Sequence, residues 1–297
     1  MAEHFDKKLE IKRLMIYLFI SFGLTWFLFI IAILNGLKWD GSNPAMEQFV
    51  GLGMLMPFAA NVITRKITGE GFALTGEDSL MLGINLKNKM WKYYLFALFM
   101  PWICMEIGNL FKLLICSNAF DTKLVKEAGL EESFTYVYPL IAISSAAILS
   151  FAALGEEEGW RGYMMPKLIH LMGMKKALFV GGIIWGLWHA PLTCIGHNFG
   201  TDYPGFPYLG ILVMCIMCIL MGILFTFLTI RTQSIWPATI MHAVNNASPG
   251  ILRFYINEDV LSGKLSNPII SVLFVLIPVA VIDLLILIYM KKENRYQ

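Results

Sequence analysis

Residues 143–163 read ISSAAILSFAALGEEEGWRGY, an uncharged apolar run that ends in three consecutive glutamates, with an arginine four residues after the second of them. An ionised carboxylate at the centre of a bilayer costs about 2.5–3.5 kcal/mol on insertion scales, so three of them cannot face lipid at depth. They must line a wet cavity, pair with cations or sit at the interface. The stretch therefore indicates a membrane protein that carries polar groups at the end of an apolar helix.

The composition of the whole chain is that of a membrane protein. Of its 297 residues, 57% are hydrophobic and 15% are charged, whereas soluble domains are about 45–50% apolar and about 25% charged. The net charge of +2 is too small to predict nucleic-acid binding. The five cysteines lie in or beside apolar runs, so the pair Cys215 and Cys218 is interpreted as apolar helix residues rather than a metal or redox site.

Eight apolar runs have the length of transmembrane helices, for which about 20 residues are needed. They lie near 14–35, 46–64, 93–115, 135–155, 177–195, 207–230, 235–253 and 267–290. The connections between them are too short for a soluble domain. The chain 1–297 is therefore predicted to be a single all-α, polytopic membrane domain, with about eight transmembrane helices around a polar intramembrane cavity.

Lysine and arginine are distributed unequally over the two sides of these spans. Seventeen of the 23 fall on the side of the N-terminus and of the connections 65–92 and 156–176, with Arg295 among them, and five, with Lys264 among them, fall on the other side. Cytoplasmic connections are usually the basic ones. We therefore expect an integral membrane protein with both termini in the cytoplasm.

Helical spacing separates the three glutamates. Glu157 and Arg161 are i and i+4 and share a face, so they are expected to pair, and Glu158 is also a neighbour of Arg161. Glu156 lies about 100° around the helix from Glu157 and has no local cation. A carboxylate kept free beside a cation is a candidate general base. The structural alternative is an interfacial charge cluster that ends the fourth span, with Glu158 facing the cytoplasmic water.

Two further spans carry polar side chains at helical spacing. In GGIIWGLWHAPL (181–192), Trp185 and His189 face one way, and Pro191 is expected to bend or end the helix. In SIWPATIMHAVNNASPG (234–250), His242 and Asn246 share a face. Each pattern alone is also typical of interhelical hydrogen bonds. Together with Glu156, these groups suit the activation of water and the stabilisation of an oxyanion, and equally the binding of one divalent metal.

These stretches resemble the CPBP family of intramembrane proteases, also called the Abi or CAAX-protease family. The family signature is Glu-Glu-x-x-x-Arg, then aromatic-x-x-x-His, then His-x-x-x-Asn. The matching residues here are Glu156, Glu157 and Arg161, then Trp185 and His189, then His242 and Asn246. The aromatic is usually Phe, so Trp185 is a mild departure. The match covers roughly 154–246, within a family-like core of about 135–253.

The resemblance implies an endopeptidase that hydrolyses peptide bonds in a water-filled intramembrane cavity opening toward the cytoplasm. By this analogy Glu156 takes a proton from the attacking water, His189 helps to hold that water, and His242 and Asn246 stabilise the oxyanion. The same analogy makes Glu157 and Arg161 (with Trp185) supporting residues. The implied partners are the lipid bilayer and a membrane-associated protein or peptide, in the cell membrane of a bacterium.

The cofactor and two other classes of function stay open. Zinc held by Glu156, His189 and His242 is one alternative, and a metal-free mechanism is preferred because Asn246 is a poor zinc ligand. A non-catalytic immunity or sorting partner of the same family is a second reading of the chain. An ion-coupled transporter is a third, since intramembrane carboxylates are typical of proton relays, but no internal repeat is visible. The sequence specifies neither the substrate nor the oligomeric state.

Three other polar residues lie outside the family pattern. Glu106 and Asp283 fall within spans and are expected to have structural partners, which for Glu106 would be Lys112 or the cavity. His197 falls in a short external connection and is expected to be solvated. None of the three is predicted to be a site residue.

Overall fold

The structure is a computed structural model that describes residues 6–76, 78–130, 133–261, 265 and 267–292. Its regular secondary structure in these residues is helical. The helices are α1 (Lys7–Leu34), α2 (Ala45–Thr68), α3 (Trp91–Ile115), α4 (Lys123–Glu127), α5 (Phe134–Glu157), α6 (Met165–Met172), α7 (Met174–Trp188), α8 (Ala190–Thr193), α9 (Tyr208–Thr232), α10 (Trp236–Ala247) and α11 (Pro268–Lys292). A π-helical segment, Glu158–Met164, joins α5 to α6.

Six helical segments of the described chain are long and apolar enough to cross a membrane. The predicted all-α polytopic fold is confirmed, but the fifth and seventh predicted spans correspond to shorter helices. Helix α7 has 15 residues and α10 has 12, and at about 1.5 Å per residue both are shorter than the roughly 30 Å hydrocarbon core. Helix α7 ends at Trp188, just before Pro191, and α10 ends just before Pro249, because proline disfavours helix in the preceding residues.

One end of the bundle, which we call the basic end, holds the first residue of α1, the last residues of α2, α9 and α11, and the short connection between α6 and α7. Lys167 of α6 links two segments of this end, because its Nζ forms ion pairs with Glu10 of α1 at 2.9 Å and with Glu70 after α2 at 2.7 Å. Asn85, in the connection before α3, donates to the carbonyl of Thr232 at 2.9 Å. These contacts bring the segments into one layer.

The opposite end, which we call the loop end, consists of the described residues of the connections 35–44, 116–133, 194–207 and 248–267. The rings of Trp39 and His197 lie 4.5 Å apart, and Asn109 Nδ2 donates to the carbonyl of Pro249 at 3.0 Å. Phe120 also pairs with the 248–267 connection through a single antiparallel bridge. Successive chain crossings therefore alternate between the two ends.

Positive charge is concentrated at the basic end. The described lysines and arginines there are Lys7, Lys8, Lys12, Arg13, Arg65, Lys66, Lys87, Lys89, Lys92, Lys167, Lys175, Lys176, Arg231, Lys291 and Lys292. Those nearer the loop end are Lys38, Lys112, Lys123, Lys126 and Arg253. Arg161 is buried inside the bundle, and Lys264 and Arg295 lie outside the described residues. The asymmetry seen in the sequence therefore corresponds to two physical ends of the molecule.

Two glycine pairs allow the helices of the polar region to pack closely. Gly155 and Gly159 flank the three glutamates, and a Cβ on Gly159 would lie 2.5 Å from Cβ of Pro57 on α2. A Cβ on Gly182 or Gly186 of α7 would likewise lie 2.5 Å from a backbone Cα of α9. This small-xxx-small spacing is common where membrane helices make close contact. The small side chains therefore allow α5 to pack closely against α2, and α7 against α9.

Acidification is expected to destabilise the basic end through Glu70. Burial acts to raise the pKa of Glu70, but hydrogen bonds from Lys167, Tyr163 and Thr68 hold that pKa below its usual value. Such a carboxylate stabilises the fold above its unfolded-state pKa of about 4.3, and the contribution is lost as the pH falls through the folded-state pKa. Below about pH 4.3, thermal unfolding in detergent should show a steeper loss of stability for the wild type than for Glu70→Gln. Equal slopes would contradict this assignment.

Candidate active site

The second and third glutamates of the opening stretch are buried and bonded to other helices. Glu157 Oε1 accepts from Arg161 at 3.1 Å, which confirms the predicted pair, and it also bonds His242 Nδ1 at 2.8 Å. Glu158 is 1% exposed and accepts from Asn61 Nδ2 at 2.6 Å. The expectation that Glu158 faces the cytoplasmic water is wrong, because the close contact of α5 with α2 places it against Asn61.

The first glutamate, unlike its two neighbours, lines a cavity. Trp185 Nε1 donates to Glu156 Oε2 at 2.9 Å, and the described part of the chain offers this carboxylate no other hydrogen bond. Its second oxygen is therefore free to accept from a molecule in the cavity. A buried carboxylate with one oriented oxygen and one open oxygen has the arrangement needed for a general base.

The cavity collects the other predicted polar residues. It has a volume of about 790 Å³, within the usual range of ligand sites. Its polar lining includes Glu156, His189, His242, Asn245 and Asn246. Asn245 Nδ2 donates to Asn246 Oδ1 at 3.2 Å, and Asn246 is exposed at the edge of the cavity. The apolar lining includes Met54, Met100, Met105, Met217, Met221 and Met241.

Trp185 lies at the centre of these groups. Besides binding Glu156, its ring lies 5.8 Å from that of His189 and 5.7 Å from that of His242. The guanidinium of Arg161 stacks on the same ring, 4.0 Å from its centroid. One indole thus touches the carboxylate, both imidazoles and the buried cation. The departure from the usual phenylalanine adds an N–H donor that a phenylalanine lacks, and this donor fixes one oxygen of Glu156.

Hydrogen bonds orient both imidazoles. His189 Nδ1 lies 2.8 Å from the carbonyl oxygen of Trp185, and a carbonyl can only accept, so Nδ1 carries the proton. In a neutral His189 ring, Nε2 is then an acceptor. His242 Nδ1 bonds Glu157, so its Nε2 accepts when the ring is neutral and donates when it is doubly protonated. The two histidines therefore differ in which partner holds them.

His197 is a site-lining residue that the sequence did not reveal. Its ring stacks on that of His189 at 6.5 Å and contacts Trp39, so the expectation that it is solvated is wrong. Burial lowers the pKa of His197 to about 4, and its ring is therefore neutral at neutral pH. Left-handed backbone at Gly196 and Asn198 folds the connection into the cavity. Gly and Asn around a histidine are the only sequence signal for this turn.

The zinc alternative is not supported by the arrangement of side chains. Within the described residues, no group of three or more His, Cys, Asp or Glu side chains is placed so as to hold a metal ion. The reaction is therefore written without a metal, and the effect of a zinc chelator on the cleavage rate measures metal dependence.

The two remaining intramembrane acids have different surroundings. Glu106 accepts from the backbone N–H groups of Ile251 and Leu252, at 2.5 and 3.1 Å, rather than pairing with Lys112. It therefore holds the start of the short turn at the loop end. Asp283 is 2% exposed, and neither of its oxygens has a partner among the described residues. The expected structural partner of Asp283 is thus not found there.

The fold and the cavity together define a class: a helical integral membrane protein with a buried glutamate, two oriented imidazoles and an amide around one cavity. Comparison with known proteins agrees. Residues 138–248 match the Rce1-like family, described as type II CAAX prenyl endopeptidase Rce1-like. This match supports the resemblance to the CPBP family that the three motifs predict.

A curated relative supports the same family resemblance over an alignment of similar length. The CAAX prenyl protease 2 of Methanococcus maripaludis is 31% identical to this chain over 106 residues. The alignment covers 35% of this chain and 39% of that protein, so this chain matches about two fifths of its relative's length. The two matches support protease activity at the level of the family. They also agree with a protein that sits in a lipid bilayer.

Proposed function

We propose that this protein is an intramembrane endopeptidase that hydrolyses a peptide bond of a membrane-associated protein or peptide. The observation that carries the proposal is the single cavity that Glu156, His189, His242 and Asn246 line from three parts of the chain. The family match favours this activity over an ion-coupled transporter. Nucleic acid plays no part in it.

Glu156 supplies the base in the proposed reaction. Its open oxygen takes a proton from a water molecule as that water attacks the carbonyl carbon of the scissile bond. His189 is held with Nε2 as an acceptor and helps to orient the same water. The C–O bond forms, the C–N bond then breaks, and the proton passes from Glu156 to the departing amine. Such general acid–base catalysis typically contributes about 10²–10⁴-fold to the rate.

His242 and Asn246 are proposed to stabilise the oxyanion of the tetrahedral intermediate. His242 donates from Nε2 only as an imidazolium, and Glu157, bonded to its Nδ1, balances that charge. Asn246 donates from its amide nitrogen, since its oxygen already accepts from Asn245. Donors fixed before the reaction stabilise developing charge without reorganisation. Glu157 and Arg161 are positioning residues in this scheme.

The wall of the cavity favours a substrate with a lipid-like or strongly apolar portion. Six methionines line it, and methionine side chains adapt to irregular apolar surfaces. The relative from Methanococcus maripaludis is a CAAX prenyl protease. A prenylated C-terminal tail is accordingly the first substrate to test, and an unmodified membrane peptide is the second.

The test uses the purified full-length chain in detergent with a farnesylated CAAX peptide and the same peptide without the lipid. We expect cleavage, which mass spectrometry of the products detects. The cleavage rate of the farnesylated peptide should exceed that of the unmodified peptide by about tenfold or more, equivalent to about 1.4 kcal/mol. A zinc chelator should leave the rate unchanged. Loss of activity with the chelator and its recovery on adding zinc would refute the metal-free mechanism. Failure to cleave either peptide would refute this substrate class.

A further inference from the structure

Two cationic side chains line the same cavity as Glu156. Lys112 of α3 and Arg253, in the turn Leu252–Tyr255 after α10, are the only lysine and arginine among the described residues of its lining. The turn is held to α3, because Glu106 accepts from two backbone N–H groups at its start. The two cations therefore lie together in one part of the lining, and we call Lys112 and Arg253 the cationic wall.

A single carboxylate lies between the two cations of this wall. Glu258 Oε1 lies 3.8 Å from Lys112 Nζ and 3.3 Å from Arg253 Nη1. Charge-assisted hydrogen bonds between such groups are usually about 2.7–2.9 Å long, so neither contact is a strong one. Two positive charges and one negative charge also leave this part of the cavity with a net charge of +1.

Lys112 is the cation with the fewer partners. It is 4% exposed, and 3.8 Å is beyond hydrogen-bond distance, so the described part of the chain offers its Nζ no hydrogen bond. Burial of an unpaired charge is costly, and buried ammonium groups are therefore normally surrounded by acceptors. The N–H groups of Lys112 are thus available to an anion in the cavity, which brings both the acceptors and the balancing negative charge.

The cationic wall lies a short peptide length from the proposed oxyanion donors. Asn109, one turn before Lys112 on α3, donates to the carbonyl of Pro249 at 3.0 Å, and Pro249 follows Asn246 by three residues. One helical turn rises about 5.4 Å, so the path from Asn246 to Lys112 is on the order of 10 Å. An extended peptide covers this distance with about three residues, at about 3.3 Å each.

Building on the proposed function, we propose that the cationic wall binds the C-terminal carboxylate of the peptide substrate. Lys112 and Arg253 hold the end of the substrate chain while Glu156 activates water at a peptide bond about three residues away. The phosphate of an anionic lipid has similar chemistry, but the wall belongs to the cavity of the general base, which favours the peptide. A substrate whose C-terminus is blocked loses this contact.

The test compares the farnesylated CAAX peptide with the same peptide carrying a C-terminal amide, using the full-length chain in detergent. Hydrogen bonds to charged groups should give the free acid an advantage of about 10–100-fold in kcat/KM. The advantage should appear in KM, because a contact remote from the reacting bond is made equally in the ground state and the transition state. Lys112→Met should remove most of it by weakening cleavage of the free acid alone, and Arg253→Gln should remove part of it.

Two controls separate the lost contact from a general defect. The amide peptide reports on folding, because a misfolded variant loses both substrates, and Arg253→Gln decides the question if Lys112→Met does not fold, since the Arg253 side chain is 42% exposed. Lys123→Met removes an exposed cation of the loop end that does not line the cavity, and it should keep the full preference. Equal cleavage of acid and amide by the wild type, or a full preference in both wall variants, would overturn the subsite and leave the peptidase function intact.

Binding of a fluorescent farnesylated peptide, measured by anisotropy in a Glu156→Gln background to prevent turnover, tests the subsite without catalysis. The free acid should bind about 10–100-fold more tightly than the amide, and Lys112→Met should bind both alike. Failure of the wild type to cleave any peptide would refute the peptidase function, and this binding result would still decide the subsite. Equal binding of the two peptides, with Lys112-dependent binding of a fluorescent phosphatidylglycerol, would assign the wall to a lipid phosphate and overturn the proposal.

Discussion

Glu156→Gln is expected to reduce kcat/KM by about 10²–10⁴-fold, the usual contribution of a general base. The glutamine oxygen still accepts from Trp185 Nε1, so the side chain keeps its position. Its amide cannot take a proton from water, so the chemistry is lost while the fold is retained. Cleavage rates and thermal unfolding of the same detergent preparations measure the two effects separately.

Glu158→Gln is the matched control, because it is an identical substitution two residues away. The oxygen of the new glutamine still accepts from Asn61, and residue 158 does not line the cavity. We expect activity within about threefold of the wild type, which is less than 1 kcal/mol of transition-state stabilisation. A folded Glu156→Gln protein with near wild-type activity would exclude Glu156 as the base. An equal loss in both variants would point to the charge of the whole cluster rather than to one carboxylate.

Helical spacing was sufficient to predict the local part of this site. The i, i+4 relation of Glu157 and Arg161 implied a shared face, and the two groups are 3.1 Å apart. The separation of Glu156 from its neighbours likewise follows from the 100° rotation per residue of an α-helix. Trp185 and His189 are also joined as their spacing suggests, through the Trp185 carbonyl. These contacts join residues four apart in the sequence, although Arg161 lies in the π-helical segment after α5 and His189 directly follows α7.

Contacts between helices could not be predicted from the sequence. The bonds from Asn61 to Glu158 and from Trp185 to Glu156 depend on how α2 and α7 pack against α5. The glycines that permit this packing are visible as Gly155 and Gly159, but their spacing does not identify the partner helix. His197 was missed because its position depends on the path of a connection, for which apolar periodicity carries no information.

Arg161→Met is expected to lower stability by about 3–5 kcal/mol, the usual cost of removing one partner of a buried ion pair. Arg161 is 3% exposed, and its loss leaves the buried carboxylate of Glu157 without its cation. It also removes stacking on Trp185 at 4.0 Å and on Phe225 at 4.9 Å. For a chain of this size the unfolding temperature should fall by on the order of 10 °C.

The double variant Arg161→Met with Glu157→Gln should recover part of that stability, because a neutral site replaces an uncompensated charge. Its activity should not recover, since the neutral glutamine no longer balances an imidazolium at His242. Arg161→Lys serves as the control that keeps the charge but loses the planar group stacked on Trp185, and it should fall between the wild type and Arg161→Met. Additive losses in the double variant would show that the pair does not stabilise the fold as a unit. Recovery of both stability and activity would remove Glu157 from the positioning of His242.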